Sequence, residues 1–494
     1  MRPSGSFGRN DLKGAHKNRS SVLLQHIKVR HFTLKISLLI VICIGSMLLL
    51  DCASKKNYCG RPPLGIDKYL PVGSDASMPI NTCVDPPTKL MESPDYNDPY
   101  WSYQWHLQKD YMNISEAHKI TIGDPTVIAW VIDTGVDTGP SDFKGVNFIR
   151  GHDYIHNNED PKDDHFHGTS IASIICMQPN NNIGGVGVAP GVSMGIIKVL
   201  PLNSHESAKS RLFGASPVIL AKAIIEATDY CVKNHRPGVI NMSLGDYRPF
   251  RNEEILRKAI LYARKNGILT ICSAGNNGFM MNRTGWPSGY PEAISVGATT
   301  HNNFLAPYSN YQIGLNLCAP GGADTINEEY GSTTYGILCS RENNFYLDIK
   351  TGTRKFYKIP EEELSYFMIT GTSAAAPQVS GTVALILSLG IDDPDVIMNI
   401  IYATLHRYGY YNPCFYGRGI LDTGAAVKLA EQIKCQEVSL EQLSKMPKGY
   451  TLEETLSLEE QKRWKFKTLD LTDEQLSKAI ELIRKMPVEK SDQY

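Results

Sequence analysis

The chain of 494 residues lacks a charge bias: 50 Lys and Arg stand against 51 Asp and Glu, for a formal net charge of −1. That balance excludes the basic footprint of a nucleic-acid binder. Cysteine is sparse, with 11 in the whole chain, too few for a fold built on disulfides. Apolar runs of membrane length are scarce as well. Ile36–Leu50 is a charge-free run of 15 residues. A spanning helix needs about 20 apolar residues and a secretory signal core about 7–15. Residues 1–35 are rich in Lys, Arg and His, and Asp11 is their one acidic residue. Residues 1–52 are therefore expected to be an export signal, with a short signal anchor as the alternative. What the chain does have is 41 glycines and 20% charged residues, a composition that suits a globular α/β protein.

Residues 53–93 are rich in Pro, Gly, Asn and Asp and read as a tether or short pro-region. From residue 94 to 435, apolar runs alternate with helical patterns. Strands are expected at Thr126–Asp133, Met194–Leu200, Val239–Leu244, Ile268–Ala274 and Ile294–Ala298. Helices are expected at Gly168–Cys176, Val218–Val232, Glu253–Lys265 and Ser373–Leu389. Strands apolar on both faces that alternate with helices imply a mainly parallel sheet covered on both sides, a three-layer α/β fold. Residues 436–494 turn charged and helical, as a C-terminal appendage. Thr472 and Gln475 form a capping-box pattern there, followed by an apolar stripe at Leu476, Ala479, Ile480 and Ile483. Cys318/Cys339, Cys414/Cys435 and Cys59/Cys83 are plausible local disulfides, whereas Cys176, Cys231 and Cys272 fall in apolar elements as buried thiols.

Four short motifs carry chemistry. Gly371-Thr372-Ser373 delivers a serine to the start of an apolar helix, where backbone N–H groups are free. Upstream lie Val131-Ile132-Asp133-Thr134-Gly135, His167-Gly168-Thr169 and Ser273-Ala274-Gly275-Asn276-Asn277-Gly278. Singly, each polar residue would be a turn or a cap. Their order Asp, His, Asn, Ser, each in its own motif, resembles the subtilisin-like serine peptidases, family S8, over residues 94–432. Asp-Thr-Gly also occurs at Asp137 and Asp422. An aspartic protease would need two such carboxylates on β-rich lobes, and a helical pattern follows Asp422.

The resemblance implies a serine endopeptidase with the subtilisin-like fold. Ser373 would be the nucleophile, His167 the general base, Asp133 its orienting carboxylate and Asn276 a side-chain oxyanion donor. Ser243, Leu244 and Gly245 would pair with extended protein or peptide substrates, with Ala274 and Gly275 as the opposite wall and Gly285 near the base of the pocket. These positions are uncharged, which favours a bulky apolar or neutral residue before the cleaved bond. The loop Pro179–Gly185 resembles the family's calcium loop. Its ligands would be Pro179, Asn181, Ile183 and Gly185, with Gln104 and Asp142 completing a structural Ca²⁺ site. Leu49-Leu50-Asp51-Cys52 resembles a bacterial lipoprotein cleavage box with Cys52 as the lipidated residue, although Asp51 departs from it. Membrane tethering by lipid or signal anchor, and a periplasmic, cell-surface or secreted location, follow as expectations. The chain departs from the family in having no recognisable inhibitory prodomain and in the insert Gly322–Met368. The competing reading is a catalytically silent subtilase-like binding or scaffold protein.

Overall fold

The computed structural model describes residues 95–201, 216–247, 252–278, 281, 283–327, 331–340, 346–348, 353–355, 366–457 and 468–488. The expected leader (1–52), the tether (53–93) and the pair Cys59/Cys83 lie outside the described residues. Among the described residues no helix is long and apolar enough to cross a membrane.

After helix α1 (Ile114–Ile120), the chain builds strand β1 (Ile128–Asp133), β2 (Phe148–Asp153), α2 (His167–Cys176) and β3 (Ser193–Lys198). It continues with α3 (Pro217–Lys233), β4 (Gly238–Met242), α4 (Glu253–Lys265), β5 (Leu269–Ser273), β6 (Ile294–Thr299) and β7 (Leu317–Pro320). These seven strands form one sheet in the order β2-β3-β1-β4-β5-β6-β7. Every adjacent pair is parallel. β1 shows why both faces are covered. Its residues Ile128, Trp130 and Ile132 pack with α3 and α4, and Ala129 and Val131 pack with α2 and the helices on the other face. The strand order reverses at β1, so the crevice beyond its C-terminal end is where an open parallel sheet places a site. Asp133 sits there, in register with Lys198.

The insert forms β8 (Ala323–Asn327), β9 (Gly331–Tyr335), β10 (Ile337–Ser340), β11 (Tyr346–Asp348), β12 (Thr353–Lys355) and β13 (Tyr366–Ile369), paired β8–β9, β10–β13 and β11–β12. Helices α5 (Thr372–Ser388), α6 (Pro394–Thr404), α7 (Pro413–Tyr416), α8 (Thr423–Lys434), α9 (Leu440–Lys445) and α10 (Asp473–Lys485) follow. α10 opens with the expected capping box at Thr472 and Gln475 and buries Leu476, Ile480 and Ile483 against α3 and α4.

Two disulfide expectations are corrected. Cys435 is an exposed free thiol, and Cys414 is engaged in a disulfide that does not involve it. Cys318 is a buried free thiol whose Sγ faces the Phe415 carbonyl at 3.6 Å, so it is not bridged to Cys339. Sequence proximity was a poor guide because Cys318 and Cys339 lie on strands of different sheets, β7 and β10, and Cys414 and Cys435 belong to different helices, α7 and the C-cap of α8. Cys176, Cys231 and Cys272 are buried thiols, as expected.

Candidate active site

The apolar strand β1 ends in Asp133, whose side chain is fully buried. Its Oδ1 accepts hydrogen bonds from Thr134 N at 2.7 Å and from His167 Nδ1 at 2.7 Å. His167 is the first residue of α2, and its side chain is 20% exposed. Burial pulls its pKa down, but the Asp133 charge and hydrogen bond, with Asp163 behind them, raise it above the ordinary histidine value. Gly168 allows the contact, because a Cβ there would be driven into the Gly135 carbonyl.

Sequence reasoning missed Asp163, which organises the loop around His167. It is buried and takes hydrogen bonds from His165 N, Phe166 N, Thr169 N, Thr169 Oγ1 and Thr134 Oγ1. The Thr134 hydroxyl in turn accepts from Gly168 N at 2.9 Å. One buried carboxylate thus ties the Asp133 turn to the start of α2. Its signal in the sequence is the Asp163-Asp164-His165 run before the histidine motif.

Ser373 is the second residue of α5, after Gly371 at the cap. Pro377 has no N–H, so it cannot bond the carbonyl four residues earlier, that of Ser373. Ser243 Oγ fills that place, donating to Ser373 O at 2.8 Å. Behind it, Asn241 Nδ2 donates to Ser243 Oγ at 3.0 Å and Ser380 Oγ donates to Asn241 Oδ1 at 2.9 Å. This buried chain fixes the serine backbone to β4. Asn241 and Ser380 were not foreseen, since each looks like an ordinary polar residue in an apolar run. The Ser373 hydroxyl itself donates to the Ser243 carbonyl at 3.2 Å, and no hydrogen bond joins it to His167.

Asn276 follows β5. Its Oδ1 accepts from Thr372 N at 2.9 Å and Thr372 Oγ1 at 2.8 Å. Because a backbone N–H can only donate, the amide oxygen is assigned and Nδ2 faces the other way. A Cβ built on Gly371 would stand 3.5 Å from Asn276 Nδ2 and 3.6 Å from Ser373 N. Both N–H donors therefore border one open space beside the serine. Asn310 straddles the asparagine, donating from N to Gly275 O at 2.9 Å and accepting Asn277 N on Oδ1 at 2.8 Å.

Ser243, Leu244 and Gly245 leave β4 beside Ala274 and Gly275 at the end of β5. The two segments are joined by Gly285 and Trp286. Gly285 N donates to Ala274 O at 2.7 Å, and Trp286 exchanges backbone bonds with Asp246 at 2.7 and 2.9 Å. Gly285 admits no side chain there, since a Cβ would lie 2.9 Å from Asp246 O. The competing carboxylate Asp422 caps α8 through Ala425 N and pairs with His406.

The loop Pro179–Gly185 lies beside Gln104 and Asp142. Gln104 pairs both ways with Val186, Oε1 accepting its N–H and Nε2 donating to its carbonyl, each at 2.7 Å. Asn181 Oδ1 accepts Ile183 N at 2.7 Å, while its Nδ2 donates to Asp142 Oδ1 at 2.7 Å. Asp142 also accepts Gly185 N at 3.2 Å and the Tyr366 hydroxyl. A calcium ion needs about 6–8 converging oxygens. Here the amide oxygens are bonded to N–H groups and the carboxylate is surrounded by hydrogens, so the side chains of Gln104, Asn181 and Asp142 as arranged do not fit that ion. Among the described residues no cluster of three or more His, Cys, Asp or Glu could hold a metal.

The model of the subtilase family, Peptidase_S8, matches residues 123–404, more than half the chain. The chain is 31% identical over 301 residues to the thermophilic serine proteinase of Bacillus sp. (strain AK1), and the match spans 61% of each. It is 28% identical over 328 residues to subtilisin Savinase of Lederbergia lenta, covering 66% of this chain and 99% of that one. A solved protease from Pseudoalteromonas arctica PAMC 21717 has a TM-score of 0.54 and 27% identity, covering 68% of this chain and 100% of that one. The chain belongs to the subtilase family and is a serine endopeptidase of the subtilisin type.

Proposed function

We propose that the protein is an exported, membrane-tethered endopeptidase that cleaves protein or peptide chains through an acyl-enzyme on Ser373. The observation that carries this reading is the 2.7 Å contact of His167 Nδ1 with Asp133 Oδ1, next to the space bordered by Asn276 Nδ2 and Ser373 N. With Nδ1–H held by the carboxylate, Nε2 keeps its lone pair and acts as the base. A χ1 rotation takes the Ser373 hydroxyl from the Ser243 carbonyl to Nε2. Ser373 Oγ then bonds the scissile carbonyl carbon as its proton passes to His167. Asn276 Nδ2 and Ser373 N stabilise the oxyanion; one such donor is worth about 10²–10³ in turnover. His167 returns the proton to the leaving amine, the C–N bond breaks, and water reverses these steps to free the acid. The segment 243–245 pairs with the substrate backbone as an added strand. The uncharged walls favour a bulky apolar or neutral residue before the cleaved bond. Tethering rests on Ile36–Leu50 and Cys52.

A second reading, a catalytically silent subtilase-like scaffold, is favoured by one observation: the Ser373 hydroxyl is bonded to Ser243 O rather than to His167. Fluorophosphonate labelling of the full chain with peptide mapping separates the two. Label on Ser373 that disappears in His167→Ala is the expected result. A folded chain that takes no label would favour the scaffold.

A further inference from the structure

The insert before the nucleophile returns through β13, and its first residue, Tyr366, reaches the loop at 179–186. We propose that this loop is clamped by the chain's own donors, with the Tyr366 hydroxyl standing where the loop sequence calls for a cation, so that its stability does not depend on calcium.

Five observations converge. Neither amide can be turned round to offer its oxygen. Gln104 is fixed by a donor and an acceptor of the same residue, Val186, and Asn181 Oδ1 is held by the Ile183 N–H. The Asp142 carboxylate then faces three hydrogens, from Asn181 Nδ2, Gly185 N and the Tyr366 hydroxyl. Hydrogen bonds to an ionised carboxylate are the strong kind, and here they offset part of the cost of burying Asp142. Space is closed as well. Gly184 has φ +52°, and a Cβ there would collide with both Asp142 Oδ2 and the Tyr366 hydroxyl.

The second carboxylate of the region is also satisfied by N–H groups. Asp98 accepts Asn180 N at 2.8 Å and Asn181 N at 3.1 Å. Finally, the insert is fastened to the same N-terminal segment independently of Tyr366. Trp105 Nε1 donates to Gly336 O at 2.9 Å, and Leu338 lies against Gly185. Tyr100 closes the other side, its N–H bonded to Gly184 O at 2.8 Å and its ring 5.1 Å from that of Tyr366. The hairpin β10–β13 thus joins the N-terminal segment, the loop and the strand that leads into Gly371.

Thermal melts of the full chain test this, in a Ser373→Ala background so that self-cleavage cannot lower the midpoint. The parent is expected to melt within about 1 °C in excess chelator and in millimolar calcium, because no ion binds the folded state preferentially. Tyr366→Phe is expected to melt about 2–4 °C lower with chelator, having lost a bond to a charged group. A midpoint that climbs several degrees when calcium is added to the parent would overturn the proposal, and so would a Tyr366→Phe protein that melts like the parent. The comparison on the parent decides even where the variant does not fold.

Discussion

At the scale of single residues, the site is a set of side chains whose orientation is dictated by donors that have no choice. Backbone N–H groups fix Asp133, Asn276 and Asp163, and the chain Ser380–Asn241–Ser243 fixes the backbone of Ser373. His167 carries the pH dependence. Burial depresses its pKa, while Asp133 and Asp163 raise it to a net value above the ordinary one. The neutral ring is the base, so kcat/KM should rise with pH through a midpoint above about 6.5, the ordinary histidine value. Asp133→Asn removes the raising charge and leaves burial. Its acid limb should move to lower pH, and turnover should fall by about 10⁴ as the tautomer is lost. A pH–rate profile of both proteins on one peptide checks this; an unmoved limb would remove Asp133 from the role given to it.

At the scale of elements, short contiguous motifs were legible and long-range partners were not. The five expected strands form because each is apolar on both faces. β2 and β7 escaped notice. β2 is an edge strand, half exposed, with Arg150 and His152 along it, and β7 is a four-residue strand ending in proline. The polar chain Ser380–Asn241–Ser243 joins residues 139 apart in sequence, and no local pattern announces it. Helix α10 is a contrasting case, because cap and stripe both read directly. Its Ile480, 1% exposed, packs on α3 and α4. Ile480→Ala should cost about 2–4 kcal/mol in urea unfolding with kcat intact. The exposed Arg484–Asp229 pair at 2.7 Å should be worth under about 1 kcal/mol. If Ile480→Ala unfolds like the parent, the appendage is not coupled to the body.

At the scale of the whole molecule, the N-terminal segment is bound to the body through a titratable contact. His118 accepts the Tyr96 hydroxyl on Nδ1 at 2.8 Å and donates from Nε2 to Val188 O at 2.9 Å. Burial lowers its pKa to about 4. A depressed histidine contributes stability that is complete above the unfolded value, about 6.5, and is lost as pH falls through the folded one. The unfolding free energy read from urea titrations should therefore drop between pH 6.5 and about 4, by on the order of 2 kcal/mol for this group. His118→Gln keeps the donor to Val188 and should flatten that window. An equally steep fall in the variant would assign the acid sensitivity to other groups.

The sequence by itself determined the layered α/β fold and the family, because strand hydrophobicity, helix caps and four short motifs are local properties of the chain. Only the tertiary structure decided what those pieces touch. It set Asp163 behind His167, brought Gly285 and Trp286 between the two cleft walls, and left Cys435 without Cys414. It also placed Tyr366 of the insert against a loop whose sequence predicts a metal. Each of these depends on distant segments meeting in space, and hydrogen-bond donors and free volume at such a meeting are properties of the packed fold.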